Sequence, residues 1–265
     1  MKKLISLLLT LTLTLGTAFS LSGCQLFQKE DDTLVCGVTI FENMNEQDAE
    51  GNWIGFESEF AMEVGKLIGM NVEFQIIDWP QKYTELNAGK IDCIWNGFTA
   101  NSSDDGIARA DLVDFSYTYM LNQQCIVVKK GSTIKSEADL VGLEAAVEGG
   151  SAGADYAKDA VGKDGKLNEF PAQNATFLEV KSGASDFAVV DILLAQNICG
   201  QGDYADLEIV EEIQLAAEYY AVGFKKGSDL TAKVNEAIKT LNENGKLLEL
   251  AQKYGLENSL QVSYE

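Results

Sequence analysis

The sequence contains no histidine, and Arg109 is its only arginine among 265 residues. Without histidine, the Ser-His-Asp and Cys-His catalytic arrangements, the usual zinc sites and the commonest general base are excluded. A net charge of −21 leaves little basic surface, so a nucleic acid is not expected as a partner. These absences favour a binding protein over an enzyme, and neither a cofactor nor a metal ion is expected.

The amino terminus has the parts of a secretory signal peptide. Two lysines precede an apolar run of about 15 residues and the segment Leu21-Ser22-Gly23-Cys24. That segment resembles the bacterial lipobox, so residues 1–23 are predicted to be removed and Cys24 to carry a lipid. Residues 24–32 would then tether the protein to the outer face of the cytoplasmic membrane. That face is the cell surface in a Gram-positive-type envelope and faces the periplasm otherwise. The alternative is a chance small-residue cleavage site.

Four further cysteines are present. Cys36, Cys93 and Cys125 lie in apolar, strand-like runs, and Cys199 follows a helical segment. This pattern favours buried thiols. No CxxC spacing is present, but a disulfide remains open outside the cell.

After residue 33, apolar patterns typical of strands alternate with patterns typical of helices. Strands are predicted at 33–40, 71–77, 91–97, 124–130, 142–150, 186–191 and 218–228. Helices are predicted at 56–69, 81–89, 151–161, at 175–182 with Asn174 as its cap, from 192, and as a pair in 229–255. A hairpin is predicted around 48–53. Such alternation predicts an α/β fold with parallel sheets flanked by helices.

Several motifs, in this order, resemble polar amino-acid substrate-binding proteins of bacterial ABC importers, which form solute-binding protein family 3. They include "GNWIGFESEFAMEVGKLIG", "LNAGKIDCIWNGFT", "EGGSAGADY", "GASDFAVVD" and "LNENGKLLELAQKYG". The resemblance implies a two-lobe, type II periplasmic-binding-protein-like fold whose lobes are joined by two crossover hinge strands, near 121–125 and 218–220. Lobe 1 would comprise 33–121 and 218–265, and lobe 2 would comprise 122–217. The protein would be a monomer that captures a free L-amino acid between the lobes and delivers it to a permease and its ATPase.

The resemblance implies five ligand contacts from lobe 1. Phe41 and Trp79 would flank the ligand side chain, and Gly97 and Thr99 would hold the ligand through backbone and hydroxyl groups. Arg109 would bind the α-carboxylate, because a planar guanidinium forms two parallel hydrogen bonds with a carboxylate. Core packing of the aromatics and a surface position for Arg109 are the simpler alternatives. Thr99 and Arg109 are ten positions apart, a longer spacing than is usual in the family, because of the segment "SSDDG".

Three further contacts are implied from lobe 2. Ser151 and Ala152 begin a helix whose free N–H groups would bind the same carboxylate. Asp191 ends a strand and would pair with the α-ammonium. For Ser151 and Asp191, a helix-capping role alone is the alternative.

The ligand's side chain is less well predicted. Glu42, Glu46 and Glu148 lie near the expected cleft mouth, which hints at a cationic or polar amino acid. An enzyme on the same fold, dehydratase-like or lytic, and a ligand sensor for a membrane receptor remain alternatives. Gene neighbours encoding a permease and an ATPase would favour transport over sensing.

Overall fold

The computed structural model describes residues 32–264. The strands are β1 Thr33–Val38, β2 Glu46–Gln47, β3 Trp53–Ile54, β4 Asn71–Ile76, β5 Cys93–Ile94, β6 Ser103–Asp104, β7 Ile107–Ala108, β8 Asp114–Phe115, β9 Thr118–Lys129, β10 Glu144–Glu148, β11 Lys166–Phe170, β12 Phe187–Asp191, β13 Leu207–Ile209, β14 Ala217–Tyr220, β15 Gly223–Phe224 and β16 Leu260–Ser263. The α-helices are α1 Phe56–Ile68, α2 Lys82–Asn87, α3 Arg109–Leu112, α4 Ala152–Val161, α5 Asn174–Ser182, α6 Ile192–Ile198, α7 Leu230–Glu243 and α8 Lys246–Lys253. Single 3₁₀ turns span Trp79–Gln81, Glu137–Leu140 and Gly202–Tyr204.

The first sheet has five strands in the order β4-β1-β5-β15-β8. β1 is parallel to β4 and β5, whereas β15 is antiparallel to β5 and β8. Helix α1 buries Phe56, Phe60 and Val64, which share one face because they are spaced four residues apart. It ends at Gly69, whose φ of 74° is the left-handed conformation that glycine adopts at helix ends.

The second sheet has the order β11-β10-β12-β9-β13, and β14 and β16 also pair with β9. β10 is parallel to both β11 and β12, so β10 and β12 end at the same edge of the sheet. The long strand β9 is antiparallel to β12. This α/β arrangement around two sheets agrees with the expected two-lobe type II fold.

The two predicted hinge segments pair with each other. Residues 120–123 of β9 and 217–220 of β14 form an antiparallel pair in which Asn122 lies opposite Glu218. The chain therefore passes between the two sheets twice, along neighbouring strands. The lobe boundaries at 121/122 and 217/218 stay predictions.

Some predicted elements differ from the structure. The strand predicted at 218–228 is divided into β14 and β15, because Ala221 and Val222 bond instead to Phe98 and Ser116 as the chain moves from one sheet to the other. Asn174 is the first residue of α5 rather than its cap. The strand predicted at 91–97 is reduced to the two residues of β5. The hairpin near 48–53 is present as β2 and β3.

Within the described residues none of the four cysteines forms a disulfide bond, and three of them are buried while Cys199 is half-buried. Cys36 and Cys93 lie side by side on β1 and β5 with their sulfurs 3.6 Å apart, well beyond the ~2.05 Å of a disulfide bond. No helix between residues 32 and 264 has the length and apolar character needed to cross a membrane. The predicted signal peptide and Cys24 lie outside the described residues.

Candidate ligand-binding cleft

A small polar cavity lies where strands of both sheets end. About 240 Å³ of space within this cavity and at its mouth is not filled by protein atoms. Its lining residues are Trp79, Asn96, Gly97, Thr99, Arg109, Gln124, Glu148, Ser151, Ala152, Gln173 and Asp191. All the implied ligand contacts except Phe41 are therefore brought together around one cavity.

Arg109 is buried at this cavity, with only 1% of its surface exposed. Its Nε and Nη2 donate to Oδ1 of Asp104 at 3.0 and 2.9 Å, and its Nη1 donates to the carbonyl of Thr99 at 3.2 Å. The guanidinium carbon lies 4.9 Å from the ring centre of Phe98. These contacts use three of the five N–H donors of an arginine, so two remain for a ligand carboxylate. The alternative of a surface cation is thereby excluded.

Asp104 comes from the segment that lengthens the spacing between Thr99 and Arg109. That segment folds into the β6–β7 hairpin. Besides Arg109, Asp104 accepts from the hydroxyl of Tyr83 at 2.5 Å and lies 3.4 Å from Nζ of Lys82. Burial opposes ionisation of Asp104, but the positive charges of Arg109 and Lys82 together lower its pKa below the usual value. The hairpin therefore supplies an ionised partner for two buried cations.

Lys82 connects the two sides of the cleft. Its Nζ donates to the carbonyl of Gly150 at 2.8 Å, in the loop after β10. Burial lowers the pKa of Lys82 to about 8, although the charge of Asp104 opposes this shift. Nearby, the backbone N–H of Trp79 donates to the carbonyl of Pro171 at 3.2 Å. The segment 79–82, which follows β4 of the first sheet, thus contacts two loops that follow strands of the second sheet. These contacts close the cleft.

Asp191 ends β12 and is held by three side-chain amides. Its Oδ1 accepts from Asn122 at 2.5 Å and from Gln124 at 2.6 Å, and its Oδ2 accepts from Gln173. The same Asn122 and Gln124 amides donate to Glu218 at 2.8 and 2.9 Å. Burial raises the pKa of Asp191, and burial followed by the charge of Asp191 raises the pKa of Glu218 to about 7. Two acidic groups therefore share one pair of amides, an arrangement that attracts a cation.

Ser151 is the N-cap of α4. Its Oγ accepts from the backbone N–H of Ala154 at 3.0 Å, so the capping alternative is correct for its side chain. The backbone of Ser151 and Ala152 still lines the cavity. The N-terminal end of a helix carries partial positive charge and unsatisfied N–H groups, so this end of α4 suits a ligand carboxylate.

Gly97 and Thr99 bond mainly to protein groups. The N–H of Gly97 donates to the buried carboxylate of Glu57 at 2.9 and 3.0 Å, and the hydroxyl of Thr99 donates to Glu218 at 3.2 Å. Phe41 lies behind the cavity: its ring would be 3.1 Å from a Cβ added to Gly97, which is why a glycine fits there. Phe41 is part of the core, so its predicted contact with the ligand does not follow from this geometry.

Trp79 does line the cavity. Its ring packs edge-to-face on Phe98, with 5.6 Å between ring centres, and Nζ of Lys82 lies 5.2 Å from its centre. Trp79 thus provides an apolar wall next to a positive charge.

Sequence reasoning missed the amides Asn122, Gln124 and Gln173 and the acid Glu218. A weak signal existed, since "LNQQC" places three amides in an otherwise apolar strand. Buried amides of this kind need partners, and here the partners are Asp191 and Glu218.

The family model of the bacterial extracellular solute-binding proteins, family 3, matches residues 34–257. The chain belongs to this family. It is 27% identical over 259 residues to the arginine-binding extracellular protein ArtP of Bacillus subtilis (strain 168), a match that covers 96% of this chain and 98% of that protein. It is 28% identical over 202 residues to the L-cystine-binding protein TcyA of the same organism, covering 76% and 72% of the two chains. A solved structure of an ancestral arginine-binding protein bound to arginine has 32% identity and a TM-score of 0.76, and the match covers 84% of this chain and 98% of that one.

The family assignment confirms the prediction made from the motifs and with it an extracytoplasmic location for this solute-binding protein. The roles of the individual cleft residues stay predictions.

Proposed function

We propose that this solute-binding protein captures a free L-amino acid in its cleft and delivers it to the permease of an ABC importer. One observation carries the proposal: Arg109 and Asp191, of opposite charge and each at most 4% exposed, line the same small cavity. An amino acid is a carboxylate and an ammonium on one carbon, so a site that holds both needs one group of each charge. Named relatives that bind arginine and cystine support this class of ligand.

In this proposal the α-carboxylate receives the two remaining N–H groups of Arg109 and the N–H groups at the start of α4. A guanidinium and a helix N-terminus are complementary to a carboxylate both in charge and in hydrogen bonding. The α-ammonium donates to Asp191, with Glu218 nearby to strengthen the negative field. Trp79 would contact the ligand's aliphatic part.

The lobes would be 33–121 with 218–265, and 122–217, and they would open and close about the β9–β14 pair. Cys24 would carry the lipid that anchors a monomer to the membrane, within reach of the permease. We propose no enzymatic role. The carboxylates in this cleft suit ion pairing with a bound ligand, and the ligand should be released chemically unchanged.

The test is a thermal-shift screen of the twenty amino acids and cystine on the soluble protein from residue 25 onward. A ligand at about 100 times its Kd adds roughly 2.7 kcal/mol to the free energy of unfolding. Calorimetry then gives the affinity, and mass spectrometry of the recovered ligand checks that it is unmodified. If no amino acid stabilises the protein, the proposal is wrong; if the ligand is recovered chemically changed, the protein is an enzyme.

A further inference from the structure

Glu148 has no hydrogen-bond partner for one of its carboxyl oxygens, although the side chain is buried. It is the last residue of β10, and it lies beside the end of the parallel strand β12, which carries Asp191. Only 2% of Glu148 is exposed, and it lines the cavity. Among residues 32–264, no donor reaches its Oε1. A buried polar group is nearly always hydrogen-bonded, so this cavity-facing oxygen is available to a donor supplied from outside the protein.

The protein's own cations in the cleft already have partners. Arg109 donates to Asp104 and Thr99, and Lys82 donates to Gly150 and lies against Asp104. Their positive charges still act on Glu148 from a distance, but burial and the neighbouring Asp191 outweigh them and raise its pKa well above the usual value. A carboxyl in this situation gains most from a cation that makes direct hydrogen bonds with it.

A bound amino acid already uses the other charges of the cavity. In the proposed function, the α-carboxylate is matched by Arg109 and the α-ammonium by Asp191, which leaves Glu148 without a counterpart. We infer that Glu148 binds a cationic group on the side chain of the ligand, so that the protein selects basic amino acids. A neutral side chain could donate a hydrogen bond to Glu148, but it would leave the charge of the buried carboxylate without a counter-ion. This inference rests on the proposed function and names the ligand class within it.

The first experiment compares ligands on the unaltered protein. Arginine and citrulline have nearly the same shape, but only arginine carries a positive side chain; lysine and glutamine form a second such comparison. Losing one partner of a buried charge pair costs about 2–5 kcal/mol, which is at least about 30-fold in affinity. Calorimetry should therefore give a Kd for arginine at least about 30-fold below that for citrulline. Equal affinities would overturn the inference.

The second experiment changes the protein. Glu148→Gln keeps the shape of the side chain and removes its charge, so it should abolish most of the preference for arginine over citrulline. Glu144→Gln is the matched control, because Glu144 is at the other end of the same strand and its side chain is 45% exposed. The control should bind both ligands as the unaltered protein does.

The possible outcomes distinguish a failure of the inference about Glu148 from a failure of the proposed function. If a neutral amino acid is the tightest ligand, or if Glu148→Gln retains the preference for arginine, the inference about Glu148 is wrong and the proposed function stands. If no amino acid binds, the proposed function itself is wrong. Circular dichroism and thermal unfolding establish that Glu148→Gln is folded, and the arginine–citrulline comparison needs no variant.

Discussion

Two nitrogens of Arg109 donate to a single oxygen of Asp104, at 3.0 and 2.9 Å. The carboxylate thus occupies the side of the guanidinium next to Nε and fixes the plane of the group. Asp104 does not itself line the cavity, so it acts on a ligand only through Arg109 and Lys82. It is a positioning residue supplied by the β6–β7 hairpin.

Replacing Asp104 should weaken both folding and ligand binding. Asp104→Asn leaves two buried cations without a counter-ion, and breaking a buried ion pair costs about 3–5 kcal/mol. We expect a lower midpoint of thermal unfolding and at least a tenfold higher Kd for the amino acid. Asp105→Asn is the control, since the side chain of Asp105 is 90% exposed. Unchanged affinity in a folded Asp104→Asn protein would show that Arg109 needs no positioning.

Arg109→Ala should weaken amino-acid binding by about 30-fold to several thousandfold, the range that corresponds to ~2–5 kcal/mol for truncating a buried charge partner. Arg109→Lys should recover only part of this loss, because an ammonium cannot form the two parallel bonds of a guanidinium. Lys163→Ala, at an exposed position, should bind as the unaltered protein does. Calorimetry measures all three. Binding by Arg109→Ala within about threefold of the unaltered protein would mean that the carboxylate is held by α4 alone.

The protein should become more compact when it binds its ligand. The β9–β14 pair offers a hinge, and Lys82 reaches Gly150 only in a closed cleft. Small-angle scattering should show a smaller radius of gyration with saturating amino acid. Lys82→Met, which lacks the bond to Gly150, should show a smaller decrease in the radius of gyration on binding the amino acid than the unaltered protein does. An unchanged radius, with binding confirmed by calorimetry, would indicate a cleft that is closed before binding.

Stability should fall as pH rises from about 5 to 7.5. Burial raises the pKa of Glu57 from 4.5 to about 7, so between these values the folded state holds a proton that the unfolded chain releases. The state that binds more protons is destabilised relative to the other as pH rises. The midpoint of thermal unfolding should decline across this interval, and Glu57→Gln should make the decline shallower. Glu63→Gln, on the same helix but partly exposed, should leave the pH dependence of the unfolding midpoint unchanged. If Glu57→Gln shows the same decline as the unaltered protein, another group is responsible for the pH dependence.

Cys24→Ala should remove the lipid anchor. A lipid chain supplies the membrane affinity, so the variant should appear in the medium or remain unprocessed. Metabolic labelling with a palmitate analogue measures this directly. Equal labelling of the variant and the unaltered protein would contradict the lipobox prediction.

Long patterned elements of the fold were predictable. Helix α1 carries a four-residue apolar spacing and a terminal glycine, and α4 has a capping serine. Sequence did not predict β11, β13 and β16, because their half-exposed residues show no strand pattern and depend on pairing with distant strands. The division between β14 and β15 was also missed, since only the contacts with Phe98 and Ser116 show where the chain changes sheets.

Most of the cleft was predictable only through the family resemblance. Composition singled out Arg109, and the motifs placed Asp191 and Ser151 at strand and helix ends. Nothing in the sequence pairs Asp104 with Arg109, because their contact depends on how the β6–β7 hairpin folds. The unpartnered oxygen of Glu148 is likewise a property of three-dimensional packing. Because the chain has 41 acidic residues, the sequence alone does not distinguish Glu148 from the others.

The β6–β7 hairpin has a consequence for how this chain can change over time. Arg109 and its counter-ion Asp104 lie five positions apart in one continuous segment, so a deletion within the hairpin removes the acid while the arginine remains. A relative that has the arginine without this hairpin needs another acid as its partner, whereas transfer of the whole segment moves the guanidinium together with its counter-ion. Grafting residues 99–109 into a relative with a shorter loop should therefore be better tolerated than exchanging either charged residue alone.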